Sequence, residues 1–212
     1  MEITHEKDPK HIMKRISTFC MSDGYIAKTG NSYEIRLTSI HKEFVGYFKE
    51  VVRPITSVAI TKVVDKTCKQ DYFWLGRSKR HPYFYKLRDR IYRANYRGLD
   101  THALKLFDWE AFAIWYMSDG TISMKNRPKP SGMKLCTDRL TYSDNIFLRN
   151  IIRKNLQISC EVRAQGPNKW RLVFFSKDYY KIFSNIKPFI LPCFMYKVPN
   201  DELLNYYRDR YE

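Results

Sequence analysis

The sequence predicts an α+β fold written twice, as two αββαββα halves. Three observations predict it. The tetrapeptide Met-Ser-Asp-Gly occurs at residues 21–24 and again at 117–120. Each copy follows apolar residues at helical spacing and precedes a stretch that alternates as a strand does. The same order of helix and strand signals then continues through each half, which is what an internal duplication looks like. The halves are assigned to residues 1–98 and 99–212, with a connection over 98–107.

In the first half, Ile12, Ile16, Phe19 and Cys20 mark one face of a helix that Asp23 is expected to end, with Gly24 as a left-handed cap. A hairpin follows, with strands at 25–28 and 33–38 around a Thr-Gly-Asn-Ser tip. A helix over 41–52 carries Phe44, Val45 and Phe48 on its apolar side. Strands at 58–64 and 72–75 and a helix at 83–92 complete the unit.

The second half opens with Asp108 as N-cap and Trp109, Phe112, Ala113 and Tyr116 at helical spacing, again ending in an Asp (Asp119) followed by a cap glycine (Gly120). Its hairpin has strands at 121–124 and 133–137 around a longer, basic, proline-rich tip. A helix at 143–156 carries Ile146, Phe147, Ile151 and Ile152. Strands at 159–164 and 170–175, a helix at 178–186 and a terminal helix at 201–211 follow.

Hydrophobic residues make up 44% of the 212, enough for a packed core. The formal charge of +16 points to a polyanionic partner, with nucleic acid first. Five scattered cysteines without a C-x-x-C pair argue against a disulfide framework and a zinc site, and suit a reducing intracellular compartment. No apolar run approaches the ~20 residues that span a bilayer, and the N-terminus has no apolar signal core, so a soluble protein without membrane attachment is expected.

A carboxylate at a helix C-terminus is poorly placed, because the orphan carbonyls and the helix dipole there are already negative. Asp23 and Asp119 both take that position. If the two helices pack side by side, with Ser17, Thr18, Ser22, Ala113 and Ser118 as small inner residues, two carboxylates and two sets of carbonyls converge. Such a cluster calls for cations, and hard oxygen donors select Mg²⁺-type ions. A divalent ion beside a phosphodiester activates water and stabilises the leaving oxygen.

The strands supply a nucleic-acid surface. Ile26, Ile35, Leu37, Ile122 and Leu135 are expected to point inward. Tyr25, Ala27, Thr29, Glu34, Arg36, Thr38, Thr121, Ser123, Lys125, Lys134, Cys136 and Asp138 then point outward, and Glu161, Arg163 and Gln165 are outward candidates further on. A curved antiparallel sheet with such side chains follows a major groove and reads base edges. Flanking cations, Lys28, Lys62, Arg77, Lys79, Arg80, Arg127, Lys129 and Lys169, are expected on phosphates.

The stretches ISTFCMSDG and FAIWYMSDG resemble the paired helices of a single-chain LAGLIDADG homing endonuclease. The second half, from FAIWYMSDGTIS through KNLQISCEVRAQGPNKWRLVFFSKDYYKIFSNIKPFILPCFMYKVP, is similar to intron-encoded mitochondrial members. The resemblance implies a monomeric pseudo-dimer with a saddle-shaped sheet surface on double-stranded DNA and helices on the other face. It implies Mg²⁺-dependent cleavage of both strands of a long, asymmetric site. The last acid of each motif, Asp23 and Asp119, would be catalytic, and the carbonyls of Ser22 and Ser118 would share the metal. A basic residue near the scissile phosphates falls on Lys197 in MYKVP and on Arg97 in the first half. Arg cannot deprotonate, so unequal cutting of the two strands is expected. Met21 and Met117 stand at a position that varies in the family. The host compartment is the cytoplasm or an organelle with its own genome. The alternative on the same fold is a maturase acting on intron RNA, against which the retention of both acids speaks.

Overall fold

The computed structural model describes residues 8–67, 70–93, 96–123 and 131–211. Lys125, Arg127 and Lys129, expected at the DNA surface, lie outside the described residues. The chain divides into two compact units, Met1–Ala94 with Asp100–Leu106, and Asn95–Leu99 with Phe107–Glu212.

In the first unit, helix α1 (Pro9–Met21) starts at Asp8, whose carboxylate accepts from the Lys10 N–H, with Pro9 at the first helical position. Strands β1 (Tyr25–Thr29) and β2 (Ser32–Ser39) form a hairpin whose tip holds Gly30 at φ +61°, a left-handed conformation that glycine adopts without a Cβ clash. Helix α2 (Lys42–Val52), strands β3 (Val58–Val64) and β4 (Tyr72–Ser78) and helix α3 (Pro82–Ile91) follow. The antiparallel sheet has the order β1-β2-β4-β3. Its core is aromatic: the Phe19 ring meets those of Phe44, Tyr47 and Phe48 at centroid distances of 5.3–5.8 Å. Gly76 on β4 lets α2 approach, since a Cβ there would lie 2.8 Å from Val45 Cγ1.

Two short strands, β5 (Tyr92–Arg93) and β6 (Tyr96–Arg97), and the short helix α4 (Thr101–Leu104) lie in the connection. Residues 100–106 group with the first unit because Asp100, buried, caps α4 and also accepts from the Ser17 hydroxyl at 2.8 Å.

The second unit repeats the order with α5 (Trp109–Asp119), β7 (Gly120–Ser123), β8 (Ser131–Cys136), α6 (Tyr142–Leu156), β9 (Cys160–Gly166), β10 (Lys169–Phe174) and α7 (Tyr179–Ile186). Two 3-10 turns, Lys187–Phe189 and Pro192–Lys197, lead to α8 (Asp201–Tyr211). The sheet order β7-β8-β10-β9 matches that of the first unit. From Ala111 to Met117 every residue of α5 is at most 1% exposed, as for a helix that is apolar all round. No helix among the described residues is long and apolar enough to cross a membrane.

Two local expectations are corrected. Helix α1 ends at Met21, so Asp23 stands in the turn beyond it, whereas Asp119 is the last residue of α5. Neither motif glycine is left-handed: Gly120 is extended at φ −79°, ψ 144°, and Gly24 is not among the positive-φ residues. Close approach is what demands glycine. A Cβ on Gly24 would lie 2.7 Å from the Phe19 carbonyl oxygen, and one on Gly120 would lie 2.1 Å from Tyr116 Cδ2.

Candidate functional site

Each motif turns the chain from a buried helix directly into the first strand of a sheet, and so sets a carboxylate where helix end and strand meet. In the second unit the end of α5 is held by Lys197. Its ammonium donates to the Met117 carbonyl at 2.8 Å and to the Tyr116 carbonyl at 3.4 Å. The Tyr116 hydroxyl returns a hydrogen bond to the Lys197 carbonyl at 2.7 Å. Burial, then the neighbouring Tyr179 and Tyr196, push the Tyr116 phenol up, so it remains a neutral donor. A cation on the orphan carbonyls of a helix end offsets the negative pole there. That pole is the one at which Asp119 sits, half-buried.

The first unit closes its helix differently. The Ser22 N–H donates to the Thr18 and Phe19 carbonyls, the Ser22 hydroxyl to the same two, and the Gly24 N–H to Phe19 at 2.7 Å. Asp23 is exposed just beyond. Ser118 likewise turns its hydroxyl back to the Ile114 carbonyl. The serine hydroxyls therefore serve the helices, and the donors left to each motif for a cation are carbonyl and carboxylate oxygens. Met21 and Met117 are buried, and their thioethers accept from the N–H groups of Asp100 and Leu191. Arg97 is half-buried in β6, within the second unit.

Strand register settles which side chains share the outer face. In the first sheet Tyr25, Arg36, Arg77 and Ala59 form one row across all four strands, and Thr38 and Leu75 lie in the next. Ile35 and Leu37 are fully buried on the other face, as expected from alternation. Glu34 shares the outer face but is only 2% exposed, because Arg36 and Arg77 cover it. Burial pushes its carboxyl up, yet the hydrogen bonds and charges of the two arginines prevail and hold it below the usual carboxylate range. Lys62 pairs with Trp74 and Lys28 with Tyr33, which puts both on the helix-bearing side, away from the Arg36 row. Lys79 and Arg80 are exposed past the end of β4.

In the second sheet the matching row is Cys136, Arg171 and Arg163, with Lys134 beside Thr121 and Val173. Ser123, Gln165 and Lys169 are exposed toward the strand ends. Arg171 grips Asp138 through Nε at 3.1 Å and Nη2 at 3.3 Å, and Arg163 grips Glu161. Burial pushes the Cys136 thiol up, against Arg171 and Lys197 and with Asp138 and Asp119. Those four charged groups thus lie close enough to act on one thiol, which ties the acid end of α5 to the outward row. Sequence reasoning omitted Arg171, although it alternates with inward Leu172 and could have been found that way.

Comparison with known proteins places the fold. The model of the LAGLIDADG DNA endonuclease family matches residues 19–182. An intron-encoded endonuclease, ai4, of Dictyostelium discoideum is 23% identical over 118 residues, covering 55% of this chain and 69% of the relative. The solved structure of the homing endonuclease I-WcaI bound to its DNA recognition sequence superposes with a TM-score of 0.74 at 17% identity, over 91% of this chain and 87% of that one. The N-terminal LAGLIDADG domain of DUF199/WhiA superposes at 0.52 with 11% identity, over 86% and 83%.

Proposed function

Because this chain belongs to the LAGLIDADG DNA endonuclease family, we propose that it is a homing endonuclease that cuts both strands of a long, asymmetric DNA site with Mg²⁺. The observation that carries the reading is the paired motif: each Met-Ser-Asp-Gly delivers a carboxylate at the point where a buried helix runs into the first strand of a sheet whose other strands set two arginines opposite each other. Asp23 and Asp119 are the catalytic acids, one from each half. The donor set fits a hard divalent ion, since the motifs present carboxylate and carbonyl oxygens while the Met21 and Met117 sulfurs are buried on backbone N–H groups. Asp23 with the Ser22 carbonyl, and Asp119 with the Ser118 carbonyl, are the groups that would ligate metal. When bound, the ion supplies an acidified water and charge stabilisation at the phosphoryl oxygens.

The chain's own residues do the rest. Lys197, seated on the α5 carbonyls, keeps a positive charge beside Asp119 and stabilises negative charge that develops on the phosphoryl group. Arg97 does so for the other strand as a fixed cation, which makes the two strands cut at different rates. Tyr25, Thr38, Ser123, Lys134, Arg163 and Gln165 meet the groove, and Lys79, Arg80 and Lys169 meet phosphates, whereas Lys28 and Lys62, on the helix-bearing side, do not. The protein acts as a monomer, encoded within an intron and working inside the cell or an organelle. Retention of both acids favours cleavage over a purely RNA-binding role. The test is incubation with a library of randomised duplexes and Mg²⁺. The parent should cleave a subset, and Asp119→Asn should bind that subset without cleaving it. Binding without cleavage by the parent would overturn the nuclease reading.

A further inference from the structure

Two arginines directly opposite each other on adjacent strands repel, and a sheet gains no stability from such a pair. The first sheet nevertheless sets Arg36 against Arg77 on its two central strands. One buried carboxylate, Glu34, makes this tolerable and engages the two guanidinium groups unequally. Arg36 uses Nε and Nη2 on Glu34 Oε1, and its Nη1 reaches the Tyr25 hydroxyl at 3.5 Å. Arg77 touches the same oxygen through Nε alone, at 2.8 Å. Among the described residues its terminal nitrogens have no hydrogen-bond partner, and its side chain is 50% exposed. Its neighbour on the far strand is Ala59, a small residue that leaves room beside it. Arg36 is therefore a brace, and Arg77 a guanidinium pinned at one edge with its fork unengaged.

We infer that Glu34 is a positioning residue that presets Arg77 to read a guanine in the major groove of the target. This rests on the reading of the outward strand face as the DNA surface. A fork of two N–H donors matches the N7 and O6 acceptors of guanine. Adenine offers a donor at the O6 position and meets the same fork with a clash of donors. Phosphate contacts need no such pinning, because any flexible cation at the rim supplies them. Holding Nε on Glu34 removes rotamer freedom before the DNA arrives, so less is lost on binding.

The experiment is selection of bound and cleaved duplexes from a fully randomised library by the parent, Arg77→Lys and Glu34→Gln. In the parent one position should be fixed as guanine. Arg77→Lys, which keeps the charge and loses the fork, should relax that position by about 5- to 150-fold, the value of one bidentate base contact. Glu34→Gln should relax the same position by a smaller factor and leave the others unchanged. A purely structural role for Glu34 would instead weaken all positions alike, and that result overturns the inference. So does a parent motif that neither variant alters, in which case the DNA surface stands and only this inference falls. A parent that enriches no sequence overturns both. Arg77 is half-exposed, so even if Glu34→Gln fails to fold, an Arg77→Lys variant that leaves the guanine position unchanged overturns the inference.

Discussion

Replacing Gly120 by Ala isolates the geometry that delivers Asp119. The added Cβ would stand 2.1 Å from Tyr116 Cδ2 and 2.4 Å from the Tyr116 carbonyl oxygen, against 3.4–4 Å for ordinary contact. Something must therefore retreat by roughly 1 Å or more. Tyr116 cannot do so cheaply: it is fully buried, its hydroxyl is bonded to the Lys197 carbonyl, and its ring packs on Phe183 at 5.7 Å. Overpacking of this kind costs about 3 kcal/mol. In a chain of this size that lowers Tm by about 6–12 °C. The strain falls on the peptide next to Asp119, so cleavage should drop further than stability alone explains. Gly46 supplies the internal control. It lies within α2, and nothing stands within 4 Å of a Cβ added there. Gly46→Ala should stabilise by about 0.5–1 kcal/mol, since Ala loses less backbone entropy on folding. Thermal melts of both variants, with cleavage rates measured well below each Tm, check the pair. If Gly120→Ala melts with the parent, or if both glycines respond alike, the close-approach account of the motif is wrong.

Two further expectations concern charge. Lys197→Met removes a cation from the α5 carbonyls and should cost about 1–2 kcal/mol in a melt as well as slowing cleavage, while Lys197→Arg should recover most of the stability; loss of cleavage with unchanged Tm would assign Lys197 to chemistry alone. Glu34 has a folded-state pKa below its ordinary 4.5, so the stability it contributes is present above that value and is lost as pH falls through the lower, folded-state one. The parent should therefore lose stability relative to Glu34→Gln as acid is added below about pH 4.5, and parallel pH profiles of the two in calorimetry would contradict that assignment.

Much of this molecule is written in local pattern. The switch from helical spacing to alternation marks every helix and strand around the two motifs, and alternation alone places Ile35 and Leu37 inside and Arg36 outside. Composition likewise carries the charge of +16, which points to a polyanionic partner. Those are short-range properties, set by side-chain periodicity and composition. What the pattern does not carry is any pairing made across a long stretch of chain. The lysine that holds the end of α5 comes from a turn about 80 residues away, the carboxylate of Glu34 vanishes beneath an arginine from another strand, and Asp100 draws the connection onto α1 through Ser17. The motif glycines mislead for the same reason. A glycine after a helix suggests a left-handed cap, but here the packing of helix against strand leaves no volume for a Cβ, and only the folded chain creates that crowding.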